Sequence, residues 1–295
     1  EENTLKKYLN YCLPLIPYSW ITFAYIFIDR WLLQYYNGSV EQAYYAIAAQ
    51  FAAIALIFTT SIMQIFWKEI SEAISEGNDD RVRQLYKKVS RLLFFISAVI
   101  AGFLMPISDV IIRNILGENY LGGALTLAIM FIYPVYQSMG QVGGTMLYAS
   151  EKVSIQSIIG ISFMIGSMIV TYWALAPSDA FVPGLGLGSE GLALKMVTMQ
   201  FIQVNITAYI ISRIWYWEFD WIHQPISLIF CLGLGWIVNI MVTGFFSEIF
   251  SWFILLLLSG CCYILLIMLL VYMQPWLIDM TRKEIHSIAN SGVRE

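Results

Sequence analysis

Charge is what this sequence has least of. Only 12% of its 295 residues are Asp, Glu, Lys or Arg, while 59% are hydrophobic. A soluble globular chain carries about 25% charged residues. Apolar runs of about twenty residues recur along the whole length, which excludes an ordinary soluble domain and reads as a series of membrane spans. Cysteine is also sparse. Cys12, Cys231, Cys261 and Cys262 all fall within apolar runs, with neither metal-ligand spacing nor the pattern of a secreted disulfide framework, so buried free thiols are expected. The two histidines, His223 and His286, fall in an expected loop and in the tail, far apart and without a ligand pattern. There is no H-E-x-x-H, no P-loop and no G-x-S-x-G. Acidic residues between the spans (Glu41, Glu118, Asp179, Glu190, Glu248) come one to a loop, except Asp179 and Glu190 at opposite ends of one loop. Nothing in this spacing sets up an enzyme, so neither catalysis nor a metal, cofactor or nucleic-acid partner is expected.

What is present is an all-α polytopic bundle. Eight spans can be drawn: Leu9–Tyr36, Gln42–Phe66, Leu92–Ile112, Leu121–Tyr148, Ser154–Ala176, Gly191–Ser212, Ile226–Phe246 and Ile249–Met273. The amino end, the second–third, fourth–fifth and sixth–seventh loops, and the tail together hold 13 of the 16 basic residues. That bias places both ends in the cytoplasm. The longest loop, Trp67–Arg91, is broken at Gly77-Asn78, where Asn78 or Asp79 can cap a second helix. It reads as a solvated helical hairpin at anionic headgroups, with a docking surface as the alternative. The tail after Pro275, with Arg282 and Lys283, is expected to rest at the interface. Lys6-Lys7 before an apolar segment imitates a signal peptide, but the segment is too long and more spans follow. The chain opens on Glu1 and is expected to be part of a longer protein.

"GLGSEG" (Gly186–Gly191) matches the dinucleotide fingerprint G-x-G-x-x-G, but that fingerprint needs a βαβ setting. Between two spans, the glycines are expected to make a tight turn and Ser189 to cap the next helix. Polar residues inside the spans are more informative. Gln137, Gln141 and Thr145 recur every four positions and share one helical face, with Pro134 a turn earlier as a kink. Gln200, Gln203 and Thr207 form a similar face in the sixth span, beside Asn205. Either face can line an aqueous cavity or bond to neighbouring helices. Gln50, Gln64 and Asn239 are isolated and expected to join helices.

Asp29 and Arg30 stand side by side in the first span. A charge at the bilayer centre costs about 2.5–3.5 kcal/mol on insertion scales. Neighbours on a helix point about 100° apart, so these two do not pair with each other. Two readings stay open: Arg30 snorkels among Trp31, Tyr35 and Tyr36, or both residues face a polar cavity. Lys195 enters the sixth span at a depth similar to that of Asp29. An Asp29–Lys195 contact would leave Arg30 free for an anionic ligand.

"LPLIPYSW" (Leu13–Trp20) followed by Asp29-Arg30, "LGENYLGGA" (Leu116–Ala124) and "PGLGLGSEGLAL" (Pro183–Leu194) occur in an order and spacing that resembles the second half of polysaccharide flippases. These belong to the multidrug/oligosaccharidyl-lipid/polysaccharide exporter superfamily. The resemblance covers residues 8–212; Lys195 departs from the small or hydroxyl residue expected there. It implies a six-helix lobe over 8–212, a cytoplasmic loop over 213–225, two additional helices over 226–273 and a cytoplasmic tail over 274–295. It further implies a carrier in the bacterial cytoplasmic membrane that moves a lipid-linked oligosaccharide between leaflets, with membrane lipids and an upstream first lobe as its partners. Arg30 would meet the anionic headgroup, Gln137, Gln141 and Gln203 the glycan, and Asp29 and Lys195 would complete the site. An ion-coupled drug exporter of the same superfamily and a membrane glycan polymerase or transferase are the alternatives. The exporter would need more intramembrane carboxylates than Asp29. The transferase would need a large charged outer loop, whereas Pro177–Glu190 has no basic residue.

Overall fold

In hydrocarbon, backbone N–H and C=O groups must satisfy one another within a segment, and a helix does this locally. The computed structural model describes residues 6, 9, 11–218, 220–246 and 250–279, and every long element among them is helical. In chain order these are α1 (Leu15–Ser75), α2 (Asp79–Leu104), the short α3 (Ala124–Met130), α4 (Tyr133–Ala149), α5 (Val153–Leu175), α6 (Gly188–Ile214), α7 (His223–Phe246) and α8 (Trp252–Met273). Short helical turns fill residues 105–123.

Helix α1 is two arms joined at Gly38, whose φ of 88° and ψ of 176° are not helical. A side chain would be strained at that φ, so glycine makes the reversal. The partners of each arm establish the direction. Along the first arm, Tyr18 meets Gly160, Thr22 meets Met164, Asp29 meets Thr171 and Tyr36 meets Tyr172, so the arm runs parallel to α5. Along the second, Tyr44 meets Gly122, Phe51 meets Phe131 and Thr59 meets Gln141, so this arm runs parallel to α3 and α4. Since α4 and α5 are joined by the tight turn at Ser150–Lys152, where Lys152 N–H returns to the Leu147 carbonyl, the two arms are antiparallel.

Among the described residues, six helical stretches are long and apolar enough to cross a membrane, against eight expected. The difference has two physical sources. The arms of α1 are continuous through Gly38 and count as one stretch. Helix α6 carries Lys195, Gln200, Gln203 and Asn205, whose polarity removes it from the apolar class although it packs among the others. The chain is a multi-pass membrane protein built as an all-α bundle. The face bearing the α1–α2 hairpin and the α4–α5 turn holds most of the basic residues and is termed the basic face below.

Asn78 caps α2 as the sequence indicates, accepting from Arg81 N–H at 3.0 Å. Arg81 bridges Glu69, Glu72 and Glu76 at 2.7–3.2 Å and closes the hairpin. At the α5–α6 turn, Gly186 and Gly188 take positive φ as the tight turn requires. The capping role expected of Ser189 is corrected. Ser189 lies inside the first turn of α6, and the cap comes from Glu41 of the second arm, whose Oε2 accepts from Ser189 N–H at 2.8 Å. A carboxylate at a helix N-terminus also meets the positive end of the helix dipole. The break before Pro134 is present: α3 ends at Met130 and α4 restarts at Tyr133 with the proline in its first turn.

Helices α7 and α8 are fastened to α2 at two levels. In the membrane, Gly102 and Gly235 let α2 and α7 touch backbone to backbone, since a Cβ on Gly235 would lie 1.8 Å from the Gly102 carbonyl oxygen. Tyr263 of α8 places its hydroxyl 3.1 Å from both the Val99 and Cys231 carbonyls, and Asn239 donates to the Pro106 carbonyl at 3.3 Å, as its expected joining role requires. Gln50 and Gln64, given the same role, are instead exposed and hydrogen-bond to none of the described residues. At the basic face, the buried Arg91 donates to the carboxylates of Asp220 and Asp279 and to the Trp276 carbonyl, and stacks over the Trp276 ring.

Two expectations change here. His223 is not a loop residue: it opens α7, is buried, and sets Nε2 2.7 Å from the Leu277 carbonyl. The segment after Pro275 does not simply rest at the interface, because Leu277 and Ile278 are buried. Arg282, Lys283 and His286 lie outside the described residues. All four cysteines are free, but only Cys231 is buried; Cys12 and Cys261 lie on the outer surface.

Two predictions follow from this architecture. Cysteines placed at Asp179 and Ser75, which are exposed at opposite ends of the bundle, should label from opposite sides of the membrane. Labelling from one side would overturn the helix order. At the Arg91 junction, Arg91→Met should lower the unfolding temperature in detergent, since removing one partner of a buried ion pair costs about 3–5 kcal/mol. Burial raises the Asp220 carboxyl, but the hydrogen bond and charge of Arg91 outweigh it and hold the group below its ordinary value of 3.8. A depressed carboxyl stabilises the fold above the unfolded pKa and loses that contribution as pH falls through the folded one. Asp220→Asn should therefore remove part of the acid sensitivity; an Arg91→Met protein melting as wild type would count against the junction.

Candidate functional site

A cavity of about 830 Å³ lies between the two arms of α1 and helices α4, α5 and α6. Of the six first-arm residues that line it, Tyr18, Thr22, Tyr25 and Asp29 form one run. Their spacing of four, three and four residues is one helical stripe. Gln137, Gln141 and Thr145 of α4 line it as one face, and Gln200, Gln203 and Thr207 of α6 line it as another. Asn205 points elsewhere, pairing with Gln224 of α7 at 2.9 Å. Asn205 thus joins helices, whereas the glutamine faces line the cavity, with Gln141 also bonded across to Thr59 of α1.

The cavity is graded along its axis. Tyr18 and Tyr148 stand toward the basic face, whereas Asp29 stands nine residues before the Gly38 reversal, about 13 Å from it at 1.5 Å per residue. Lys195 is seven residues into α6, at a matching depth. Its Nζ donates to Asp29 Oδ2 at 2.7 Å, and both side chains are almost wholly buried. Asp29 Oδ1 accepts from Thr171 at 2.7 Å, while Lys195 Nζ lies 3.3 Å from the Tyr25 hydroxyl and over its ring. The carboxylate is thus neutralised by a cation behind the cavity wall.

Arg30 is different. It lines the cavity, is exposed, and makes no hydrogen bond, ion pair or cation–π contact with the described residues. The aromatic residues that would have accompanied a snorkelling arginine pack among themselves: Trp31 stacks on Tyr35 at 5.3 Å, and Tyr36 meets Tyr172. Only Asp29 and Arg30 carry charge among the lining residues. With Asp29 compensated, the wall holds one net positive charge among phenols and carboxamides. Two of those carboxamides are oriented by neighbours: Tyr133, itself on the wall, donates to Gln137 Oε1 at 3.3 Å, and the Thr59 hydroxyl lies 3.1 Å from Gln141 Oε1. In each, the opposite end of the amide is left for the cavity.

All six candidate residues therefore meet at one place, five on the wall and Lys195 just behind it. Sequence reasoning missed the tyrosines and Gln156. The tyrosines carry a legible signal, because Tyr18, Thr22, Tyr25 and Asp29 share one stripe. Gln156 carries none, being a lone amide in the first turn of α5.

The buried pair gives a direct test. Asp29→Asn leaves the Lys195 ammonium poorly compensated and should lower folded protein in the membrane, by about 3–5 kcal/mol of stability. Adding Lys195→Gln should restore part of the loss, since two neutral groups need no partner. A double mutant no better than the worse single one would exclude the pairing as an energetic unit.

Residues 1–125 match the family model described as polysaccharide biosynthesis protein. No curated protein and no solved structure matches the chain. The matched segment contains both arms of α1, all of α2 and the Asp29-Arg30 pair. A polytopic helical bundle with an internal polar cavity, matching that family over this segment, fits a polysaccharide-related membrane protein.

Proposed function

We propose that this chain is one lobe of a carrier that moves a lipid-linked oligosaccharide across the bacterial cytoplasmic membrane by alternating access, and that it is not an enzyme. The observation that carries the reading is Arg30, an unpaired guanidinium on the wall of a polar cavity inside a membrane bundle. A polyprenyl diphosphate supplies what such a group lacks. Its phosphate oxygens match the planar fork of arginine and accept charge-assisted hydrogen bonds from it. The uncharged wall of Gln137, Gln141 and Gln203 suits the glycan, whose hydroxyls need both donors and acceptors. The lipid tail stays in the bilayer, so only the polar head needs the cavity. A companion lobe closes the other side, and rocking of the two exposes the cavity to each leaflet in turn. The skew of basic residues supports both ends on the cytoplasmic side.

The ion-coupled exporter is the weaker reading. Asp29 is the one carboxylate on the cavity wall, and it is already held by Lys195 and Thr171. A coupling carboxylate must be free to exchange its ion.

The test is glycan export by the full protein in cells lacking their own flippase, normalised to membrane protein amount. Arg30→Lys keeps the charge but loses the bidentate fork, and export should fall about tenfold, as for one charge-assisted hydrogen bond. Arg30→Gln should fall further. Wild-type export from both variants would sink the headgroup role.

A further inference from the structure

Helix α4 carries glycines at 140 and 144 on the same cavity-facing stripe as Gln137 and Gln141. Each glycine is a seat for a carboxamide from another helix. A Cβ on Gly140 would lie 2.9 Å from Gln200 Nε2 of α6, and a Cβ on Gly144 would lie 3.5 Å from Gln156 Nε2 of α5. Gln156 is the more telling of the two. It is 8% exposed and lines the cavity, yet its Oε1 is buried without any hydrogen-bond partner, and its amide bonds to none of the described residues. A buried acceptor left without a partner is a cost to the fold. The fold keeps this amide at a site where leucine or methionine would be more stable.

We infer that Gln156, with Gln200 seated one turn away along the same α4 stripe, forms a second recognition subsite for an uncharged sugar ring, separate from the anionic subsite at Arg30. This deepens the flippase reading and rests on it. A carboxamide presents an acceptor and two donors side by side, the complement of two adjacent sugar hydroxyls, one giving and one accepting a proton. Rotation about the last side-chain torsion exchanges the two ends of the amide, so the oxygen that is now buried can turn to a hydroxyl in the cavity. Tyr18 and Tyr148, at the same end, offer ring faces and hydroxyls to the sugar. Among the described residues no charged side chain lines this end, because Asp29 and Arg30 lie near the other. A uronate carboxylate there would lose its hydration without a cation to meet it, so the subsite selects a neutral ring over an acidic one.

The test uses the full protein in detergent and three soluble short-chain probes: bare polyprenyl diphosphate, the same lipid carrying a neutral hexose disaccharide, and a counterpart in which the distal sugar is a uronate. The wild type should bind the neutral glycolipid more tightly than the uronate one. Gln156→Met should weaken the neutral glycolipid about fivefold, as for one lost hydrogen bond, and leave bare diphosphate unchanged. Its unfolding temperature should hold or rise, because an unsatisfied buried amide has been replaced by an apolar side chain of similar length. Gln156→Asn should recover part of the glycan affinity. Equal loss for the neutral glycolipid and bare diphosphate, or no loss for either, would overturn the subsite. Failure of bare diphosphate to bind the wild type, or binding that survives Arg30→Gln, would instead overturn the anionic site on which the subsite rests.

Discussion

The contact between Asp29 and Lys195 fixes much of what surrounds it. Two opposite charges inside an apolar bundle are tolerable only when they meet, and the requirement is stricter in a membrane than in a soluble core. Meeting at 2.7 Å ties the first arm of α1 to α6, two elements more than 160 residues apart. Thr171 and Tyr25 complete the contact and draw in α5 and the ring above. Because the pair consumes both charges, the adjacent Arg30 is left without a protein counter-ion, and the chemistry of the cavity follows from that remainder. Had Lys195 been the small residue the resemblance leads one to expect, Asp29 would itself have been Arg30's neighbour in search of a cation. The wall would then carry no net charge.

The same logic of pairing organises the basic face, with different geometry. Arg91 is buried at the foot of α2 and takes its partners from the α6–α7 connection and from the turn after α8. Higher up, the helices need no charge at all. Gly102 and Gly235 bring backbones together, where close packing and hydrogen bonds such as those of Tyr263 take the place of a hydrophobic effect that lipid does not supply. Helices α7 and α8 are thereby held through α2 and leave the cavity wall to α1, α4, α5 and α6.

Local and periodic features were legible in the sequence. Apolar length and scarcity of charge gave the helical membrane class. The four-residue spacing of Gln137, Gln141 and Thr145 gave a face, and Asn78 gave a cap. The match in depth between Asp29 and Lys195 was legible because span ends convert to distance at a fixed rise per residue. What remained hidden depends on contacts between distant segments. Asp220 and Asp279 are 129 and 188 positions from Arg91, and each alone reads as a solvated loop charge. Glu41 takes the capping role from Ser189 for the same reason: a cap donated across the bundle leaves no local pattern. Gln156 is hidden differently, since its meaning lies in an absent partner and in a glycine on another helix.

These absences have one origin, which separates holding from recognition in the bundle. Groups that hold it together are paired: Asp29 with Lys195, Arg91 with Asp220 and Asp279, Asn205 with Gln224, Glu41 with Ser189. The polar groups left short of partners on the cavity wall include Arg30 near one end and Gln156 toward the other, with the Ser167 hydroxyl between them on α5. A membrane helix has no reason to keep an unpaired guanidinium or an unsatisfied amide for stability, since neither gains a protein partner there. Their separation along the cavity also orders the two demands, charge at one end and hydroxyls at the other. A ligand with an anionic link and a neutral glycan meets both demands at once, and one with either feature alone meets only half.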